Sequence, residues 1–499
     1  MKDTALSKLS TTRVKGFSPP RQYIDLAFHS LAMMGAVCGM IALPLPAIAL
    51  CPVDLPAAID AIAQRPELTR ARLGIQVETL GGQLVYSREG DRFFVPASTL
   101  KLLTTAAVLT QLGPHFTIRT SVQGVTDRMG VTTLQVMGGG DPSFDQADLT
   151  TLAAQLAQQG IRQVDTLYGD ESALPGSAVN PNWEWEDVQA GYGAPANALI
   201  LAENEIGLSL VPQALGQPLQ VVWDDPLQGE DWQIENYSLT VPAGELEFVT
   251  VGRALGQPLL RVWGQLIAGA EPETAAIAIP HPGQAFLTAF QAALAAQNIP
   301  MQQISLTPPP IAADWPELAA VQSPSLAELL IPTNQNSNNL YAEALLKQLG
   351  RLAPGEAATE AGLAIALRIL RDQGIDPTAV VMVDGSGLAR KNLVTPDAVI
   401  DTLKAMARSP FALTYRNSLA VAGVSGTLRN RYRGTPVEGR LWGKSGAISR
   451  NFALAGYLEP PAYPTLAFSI FINNIDQRGN VARQLIDDLV LQLADLQEC

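Results

Sequence analysis

The residues best suited to chemistry in this sequence are Ser98 and Lys101, in the stretch VPASTLKLLTTAAVL. Residues three apart share one face of a helix, so the Ser98 hydroxyl and the Lys101 amine can touch. A lysine among leucines is desolvated, which favours its neutral form and lets it act as a base for a serine nucleophile. A short motif of this kind also occurs by chance, with Ser98 as a helix cap and Lys101 reaching into water. Lysine is scarce, however, because after Lys15 the chain contains only Lys101, Lys347, Lys391, Lys404 and Lys444.

Two further segments carry similar chemistry. In TNQNSNNLYAEALLKQLG, Ser337 and Asn339 precede a helix, where polar residues usually act as caps. In RLWGKSGAISRNFALAGYLE, Lys444, Ser445 and Gly446 end one predicted strand and a second strand follows. Taken alone, the tetrapeptide Gly-Lys-Ser-Gly, from Gly443 to Gly446, is more typical of a hairpin end. It lacks the glycine spacing of a phosphate loop, so nucleotide binding is not predicted.

Histidine is nearly absent from the chain. Only His29, His115 and His281 occur, and the last two each adjoin a proline in loop-like sequence. A Ser-His-Asp triad is therefore disfavoured, and a histidine-based zinc site lacks ligands. Lysine remains the most plausible base for a serine nucleophile, and we expect no metal or organic cofactor.

Composition describes a folded protein of several domains. With 499 residues, a hydrophobic fraction of 47% and a charged fraction of 16%, we expect two or three domains with ample core. The net charge of −14 argues against binding nucleic acid through a basic patch.

The N-terminus predicts an export signal. Several basic residues precede an apolar run from about Leu31 to Leu45, and Ala47-Ile48-Ala49 then provides small residues for cleavage near Ala49. A retained membrane anchor is the alternative, but the run is short and contains Pro44. Cys51 raises the possibility of a lipoprotein, although Leu50 fits that processing poorly. We therefore expect an exported, periplasmic or cell-envelope protein with no retained transmembrane helix.

Secondary-structure patterns predict one α/β domain interrupted by an insertion. A helix, two strands and the Ser98 helix come first, and from about Phe116 short strand-like runs dominate. Helical patterns return near Ala285, and two strands and an amphipathic helix close the chain. The predicted boundaries are a signal peptide over 1–49, a domain in two parts over 50–115 and 283–499, and an insertion over 116–282. The insertion would hold two small β-rich modules, about 116–205 and 206–282, with nesting of one in the other left open.

The three motifs occur together in the order of the active-site signature of penicillin-recognising serine acyltransferases. With the segments GGGDPSF, WEWEDVQAGYGAPANAL, VDGSGLARKNLVTP and GVSGTLRNR, the chain resembles the class C penicillin-binding proteins from about Cys51 to its C-terminus. The resemblance implies a transpeptidase-like α/β (α+β) fold, with an antiparallel sheet flanked by helices and two smaller inserted domains. It also implies D-Ala-D-Ala carboxypeptidase and endopeptidase activity on peptidoglycan stem peptides.

The resemblance assigns roles to the motif residues. Ser98 would attack the scissile carbonyl, Lys101 would accept its proton, and Ser337 with Lys444 would pass a proton to the leaving amine. Asn339 would hold the substrate amide and orient Lys101. Substrate binding falls to the strand after Lys444: Ser445 would bind the carboxylate with Lys444, and the backbone N–H of Ala447 beside Gly446 would form the oxyanion hole with that of Ser98.

The resemblance also bears on four further positions. Asp187, in WEWED, corresponds to a family residue that reaches the amine of diaminopimelate. The alternative interpretation, that Asp187 is a solvated acid in a loop, is equally well supported by the sequence. Asp141, in GGGDPSF, is expected to close a turn. Ser425, in GVSGTL, stands where the family usually has Asp, which leaves one local contact in question. Ser445 replaces the commoner threonine and keeps the hydroxyl.

The resemblance also bears on the two cysteines that would survive signal cleavage, Cys51 and Cys499. In the family fold the first and last helices pack on the same face of the sheet, and exported proteins enter a compartment where disulfides persist. We therefore expect a Cys51–Cys499 disulfide. Two free thiols or a lipid on Cys51 remain alternatives.

Three functions are open at this point. The leading one is a serine D-Ala-D-Ala carboxypeptidase or endopeptidase that β-lactams inhibit. A β-lactamase is the second, disfavoured by the long insertion between the first two motifs. A non-catalytic wall-binding or penicillin-sensing protein is the third, disfavoured because the motif residues are all present.

Overall fold

The computed structural model describes residues 50–128, 132–230, 232–254, 256–307 and 315–499. The predicted signal peptide, residues 1–49, lies outside the described residues. In the ranges given, no helix combines the length and the apolar character needed to cross a membrane.

Helices and strands follow the chain in two series. The helices are α1 (Leu55–Ala63), α2 (Lys101–Leu112), α3 (Gln146–Gln158), α4 (Pro226–Gly229), α5 (Pro282–Ala296), α6 (Leu326–Asn334), α7 (Asn339–Gly350), α8 (Ala358–Asp372), α9 (Pro396–Arg408), α10 (Ala412–Asn417) and α11 (Gly479–Ala494). The strands are β1 (Arg72–Thr79), β2 (Leu84–Arg88), β3 (Arg119–Thr126), β4 (Thr132–Met137), β5 (Val164–Asp170), β6 (Glu205–Val211), β7 (Gln220–Trp223), β8 (Gln233–Val241), β9 (Phe248–Arg253), β10 (Leu259–Ile267), β11 (Glu273–Ala278), β12 (Met301–Ser305), β13 (Glu317–Gln322), β14 (Val380–Val381), β15 (Leu393–Val394), β16 (Ala420–Val421), β17 (Leu441–Ile448), β18 (Asn451–Leu458) and β19 (Leu466–Asn473).

A six-stranded antiparallel sheet joins the two ends of the chain. Its order is β16-β17-β18-β19-β1-β2, so the early strand β1 pairs with the late strand β19. One face packs against α1 and α11, and the other packs against α2 and the helices around it. This arrangement is the predicted antiparallel sheet with helices on both faces.

Side chains on the two faces of β18 differ in size near the middle of the strand. On β18, Leu454 and Leu458 face α11, whereas Ala453 and Ala455 face the layer that contains α2. Small residues on that face let a helix approach the strands closely. Helix α2 is buried on all sides from Lys101 to Leu109, as expected for a helix that is apolar all round.

A five-stranded sheet, in the order β12-β5-β4-β3-β13, forms a second unit. Helices α3 and α5 pack together beside it in a separate hydrophobic core. The sequence placed the end of the insertion at residue 282, but pairing keeps the chain in this sheet until Gln322, because β12 joins β5 and β13 joins β3. The helical pattern after residue 282 indicated a return to the first domain, and the two strands were not predicted, because their pairing with β5 and β3 is not a local property.

Two three-stranded sheets, β8-β10-β9 and β11-β6-β7, lie within this second unit along the chain. Their strands follow β5 and precede β12, so the module predicted near 206–282 is nested between two strands of the five-stranded sheet. The two small sheets share a core that includes Leu208, Leu260, Val262 and Ile277.

Candidate active site

Ser98 lies in a tight turn at the start of the most deeply buried helix. A single 3-10 turn, Ala97–Leu100, leads directly into α2, and Ser98 is half-buried. Ala97 has a positive φ of 48°, a conformation that is uncommon for residues with a Cβ and that recurs at active sites. A Cβ added at Gly446 would lie 2.7 Å from Pro96 O and 3.2 Å from Ser98 N. Glycine at position 446 therefore lets β17 lie directly against the backbone that carries the serine.

Lys101 is the first residue of α2 and is completely buried. Its Nζ lies 3.0 Å from Ser98 Oγ, 2.7 Å from Asn339 Oδ1 and 2.6 Å from the Ser386 carbonyl oxygen. The last two atoms can only accept hydrogen bonds. A neutral amine has two N–H groups and one lone pair, so donating to both acceptors turns the lone pair toward the Ser98 hydroxyl.

Burial also changes the acidity of this amine. Desolvation lowers the pKa of Lys101 from 10.5 to about 7, and the negative charges of Asp384 and Glu343 oppose that shift. A pKa near neutrality suits a general base, because the amine is then neutral often enough to accept a proton. The observed environment is the one expected for a base, and it differs from that of a lysine reaching into water.

Helix α7 begins beside Lys101. Its cap is Asn338, whose side chain accepts a hydrogen bond from Tyr341 N at 3.1 Å. Capping is thus performed by neither Ser337 nor Asn339, the two residues of the second motif. Asn339 instead accepts from Lys101 and donates from Nδ2 to Tyr192 O at 2.8 Å. Ser337 precedes it in the loop, half-buried, with a positive φ of 63°.

The third motif lies on β17, on the strand edge beside the Ser98 turn. Strand β16 pairs with β17 only at Trp442 and Gly443, so the edge after Lys444 is left to face that turn. Ser445 Oγ lies 2.7 Å from Thr427 Oγ1, and the Ala447 that follows Gly446 is exposed. Edge backbone groups and hydroxyls at this position can bind an extended peptide.

Lys444 is completely buried, with Nζ donating to Ser445 O at 2.8 Å. Burial and then the positive charge of Lys101 lower the pKa of Lys444 well below its ordinary value. The structure therefore brings Ser98, Lys101, Asn339 and Lys444 into one site. An anionic group at this site would favour the charged form of Lys444.

A serine, two low-pKa lysines and an amide at the edge of an antiparallel sheet are the machinery of a serine acyl transfer enzyme. The sequence model of the D-Ala-D-Ala carboxypeptidase 3 (S13) family matches residues 55–496. The chain belongs to this family. Membership confirms the predicted penicillin-recognising fold class and the predicted serine-type D-Ala-D-Ala carboxypeptidase activity.

Individual relatives of this S13 protein extend along most of its length. A D-alanyl-D-alanine carboxypeptidase of Actinomadura sp. (strain R39) is 35% identical over 458 residues, covering 88% of this chain and 84% of that protein. A penicillin-sensitive carboxypeptidase A of Dictyostelium discoideum is 27% identical, covering 82% and 83%. The crystal structure of penicillin binding protein 4 from Haemophilus influenzae has the same fold, with a TM-score of 0.77 at 23% identity over 87% of this chain and 98% of that one.

Asp187 in the S13 protein has a defined partner. Its side chain is 6% exposed, and Oδ2 lies 3.0 Å from Arg390 Nη1, while Tyr192 Oη donates to Oδ1 at 3.3 Å. The alternative of a solvated loop acid is therefore wrong. Arg390 also contacts Ser449 Oγ at 3.3 Å, just after β17, so this ion pair lies beside the strand that carries the third motif.

Asp141 and Ser425 each form hydrogen bonds within their own loops. Asp141 Oδ1 accepts hydrogen bonds from Ser143 N at 2.9 Å and Ser143 Oγ at 2.6 Å, which is the predicted turn. Burial raises the pKa of Asp141 to about 6. Ser425 Oγ accepts from Val421 N at 3.1 Å, so the residue that replaces the usual Asp still holds its own loop.

Sequence reasoning did not single out Glu343, Asp384, Ser386 or Arg390. Asp384 shapes the loop near Lys101, accepting from Gly387 N at 2.8 Å and from Trp183 Nε1 at 3.0 Å among other donors. A signal existed for Glu343, because it lies four residues after Asn339 among apolar residues and thus on the same helix face. The loop residues gave no such signal, because their roles depend on where the chain folds back.

The chain termini are joined. The structure contains a disulfide between Cys51 and Cys499, with Cα atoms 5.8 Å apart, rather than two free thiols. Backbone hydrogen bonds run alongside it, from Leu50 N to Asp495 O at 3.0 Å and from Gln497 N to Leu50 O at 3.1 Å. Helices α1 and α11 pack together on one face of the six-stranded sheet, which brings the two ends into range.

Proposed function

We propose that this protein hydrolyses the terminal D-Ala-D-Ala bond of peptidoglycan stem peptides, and peptide cross-links of the same stereochemistry, through an acyl-enzyme on Ser98. The observation that carries the proposal is the position of Lys101 Nζ, which contacts Ser98 Oγ while Asn339 and Ser386 take up its other hydrogen bonds. Export after cleavage near Ala49 would place the enzyme with that substrate in the cell envelope.

Acylation transfers one proton and exchanges one bond. The lone pair of neutral Lys101 accepts the Ser98 hydroxyl proton as Oγ bonds to the carbonyl carbon of the penultimate D-Ala. The electrons of the C=O bond move to its oxygen, and the backbone N–H groups of Ser98 and Ala447 stabilise the resulting oxyanion. Collapse of this intermediate breaks the C–N bond and leaves the ester on Ser98.

Ser337 and Lys444 relay the Ser98 proton from Lys101 to the leaving amine in this scheme, which returns Lys101 to its neutral form. The free site disfavours charge on Lys444, because burial and Lys101 both lower its pKa. A substrate carboxylate held by Lys444 and Ser445 would offset that penalty with a charge-assisted hydrogen bond. Recognition of the free carboxylate and the supply of a proton are thereby linked at one residue. Water then attacks the ester, and Lys101 serves as base a second time.

Asn339 and Asp187 would orient the rest of the stem peptide. Asn339 Nδ2 donates a hydrogen bond to Tyr192 O. To contact a substrate amide, it must use its second N–H group or give up the hydrogen bond to Tyr192. Asp187 would act on the amine of diaminopimelate from within its ion pair with Arg390. Because Arg390 and Tyr192 already contact the Asp187 carboxylate, the diaminopimelate amine would bind the lone pairs that these two residues leave unused.

The proposal is tested by product analysis with the wild-type protein. We expect release of D-alanine from a stem peptide ending in D-Ala-D-Ala, no release from the same peptide ending in L-Ala-L-Ala, and cleavage of cross-linked muropeptides. Penicillin should form a long-lived acyl-enzyme. Rapid multiple turnover of penicillin without D-alanine release would instead indicate a β-lactamase, and the absence of both reactions would indicate a non-catalytic protein.

A further inference from the structure

Helix α7 carries a row of polar side chains that starts at the half-buried Asn339 in the active site and continues into the core. Asn339, Glu343 and Lys347 follow one another at intervals of four residues and so lie on one face. Glu343 and Lys347 are each 2% exposed. Buried ionisable groups cost free energy unless they are paired and hydrogen-bonded, so their partners indicate what they support.

The carboxylate of Glu343 binds the Gly385–Ser386 backbone, which in turn contacts Lys101. Glu343 Oε1 accepts hydrogen bonds from Gly385 N at 3.0 Å and from Ser386 N at 2.8 Å. The carbonyl of the same Ser386 accepts from Lys101 Nζ at 2.6 Å, the shortest of the three contacts of that amine. Thr104, one turn along α2, fixes Gly385 O at 2.7 Å. A single backbone segment therefore connects Glu343 to Lys101.

We propose that Glu343 is a positioning residue for Lys101, fixing the Ser386 carbonyl that orients the amine toward Ser98. This inference rests on the proposed function of Lys101 as the general base. Glu343 itself touches neither Ser98 nor the reacting atoms, and it acts through the Gly385–Ser386 backbone and through its charge.

Lys347 supports Glu343 from the next turn of α7. Its Nζ donates to Ser177 O at 2.8 Å and to Ala196 O at 2.6 Å, both in the segment that follows the five-stranded sheet strand β5. Its charge opposes the effect of burial on the pKa of Glu343, and Glu360 and Glu171 also face it. The row thus links the inserted part of the chain to the catalytic lysine.

The charge of Glu343 acts on Lys101 as well. The charged groups that act on Lys101 are Asp384 and Glu343, both of which favour its protonated form, and the charge of Lys101 in turn lowers the pKa of Lys444. Burial, with Asp384 next, raises the pKa of Glu343 to about 7. Glu343 is charged above that pH, and there the loss of its charge leaves one fewer anion near Lys101, which lowers the pKa of the amine.

Glu343→Gln and Glu343→Ala separate the two effects. Gln keeps an oxygen for the two N–H groups but removes the charge, whereas Ala removes both. Gln348→Leu is the matched control, because Gln348 is a buried residue of the same helix that donates to Gly139 O at 2.9 Å, away from the 384–387 loop. Penicillin acylation rates are measured against pH for these three variants and the wild type, with thermal unfolding as a check on folding.

Two results support the proposal. In Glu343→Gln the acidic limb of the acylation profile moves to lower pH, whereas in Gln348→Leu it stays at the wild-type position. In Glu343→Ala the plateau rate falls at least about tenfold below that of Glu343→Gln, which is part of the roughly 10²–10⁴-fold contribution of a positioned base.

An unshifted limb in Glu343→Gln overturns the proposal, and so does a plateau in folded Glu343→Ala that matches the control. If Glu343→Ala does not fold, the limb of Glu343→Gln decides alone. A wild-type protein that penicillin does not acylate would instead refute the proposed function, so the two failures are distinguishable.

Discussion

Lys444 lies completely buried beside Lys101, and the charge of Lys101 adds to burial in lowering the pKa of Lys444. Two adjacent buried ammonium groups would repel each other in a low-dielectric site. Burial favours the neutral form of each amine, and a charge on Lys101 further disfavours a charge on Lys444. An arriving carboxylate changes this balance in favour of a charged Lys444.

The rate of acylation should depend on pH through Lys101. Its pKa is lowered to about 7, so the amine is charged below that pH and neutral above it. Because only the neutral form accepts a proton, we expect the second-order rate constant for penicillin acylation to rise with pH through about 7 and then level off. A rate that is constant across this region, or that rises only near the ordinary pKa of lysine, would contradict the assignment.

Gly446→Ala should slow acylation without unfolding the protein. The new Cβ would lie 2.7 Å from Pro96 O and 3.2 Å from Ser98 N, so β17 or the serine turn must shift. Misplacement of reacting groups by about 1 Å can cost about 10²-fold in rate. Gly81→Ala is the control, since its Cβ would meet only Thr79 Oγ1 at 3.5 Å. Equal rates in the two variants would show that the close approach of β17 is unimportant.

Loss of the Cys51–Cys499 disulfide should lower stability rather than activity. The bond closes nearly the whole described chain into one loop, and it lies on the α1–α11 face of the six-stranded sheet, opposite the face that packs against α2. Removal of a native disulfide from a small secreted domain typically costs about 2–5 kcal/mol. The double variant Cys51→Ser/Cys499→Ser should unfold at a lower temperature and retain the acylation rate of the folded enzyme.

Non-reducing peptide mapping of the mature protein tests the bond itself. A linked pair of terminal peptides is expected. Freely alkylated thiols or a diacylglyceryl mass on Cys51 would rule the bond out.

Asp187→Ala should affect the natural substrate more than penicillin. It removes a carboxylate that lies within the ion pair with Arg390 near β17 and that we assign to the diaminopimelate amine. Hydrolysis of diaminopimelate-containing muropeptides should weaken, whereas penicillin acylation, which lacks that contact, should persist. Glu186→Ala is the control, since Glu186 is an exposed acid of the same segment. Equal losses on both substrates would reject a role specific to the stem peptide.

Much of the site was predictable because its residues lie in short motifs. Ser98 and Lys101 are three apart on one helical turn, and Lys444 to Ala447 are consecutive on one strand, so their grouping is a local property. The apolar pattern of α2 also predicted that its lysine would be buried. The order of the motifs then identified the family and with it the fold.

The unpredicted features depend on non-local pairing. Strands β12 and β13 have ordinary strand patterns, and only their pairing with β5 and β3 places them in the inserted unit. Ser386 supports Lys101 through a backbone carbonyl, which any residue type would provide. Glu343 depends on that same loop, and Arg390 was hidden because its partner Asp187 lies 203 positions away.

The most direct test is intact-mass and peptide-mapping analysis of the wild type and Ser98→Ala after reaction with penicillin. We predict one penicilloyl adduct on the wild type, carried by the peptide that contains Ser98, and neither an adduct nor D-alanine release from folded Ser98→Ala. An adduct on the alanine variant, or an adduct of the wild type at another serine such as Ser337 or Ser445, would contradict the assignment of Ser98 as the nucleophile.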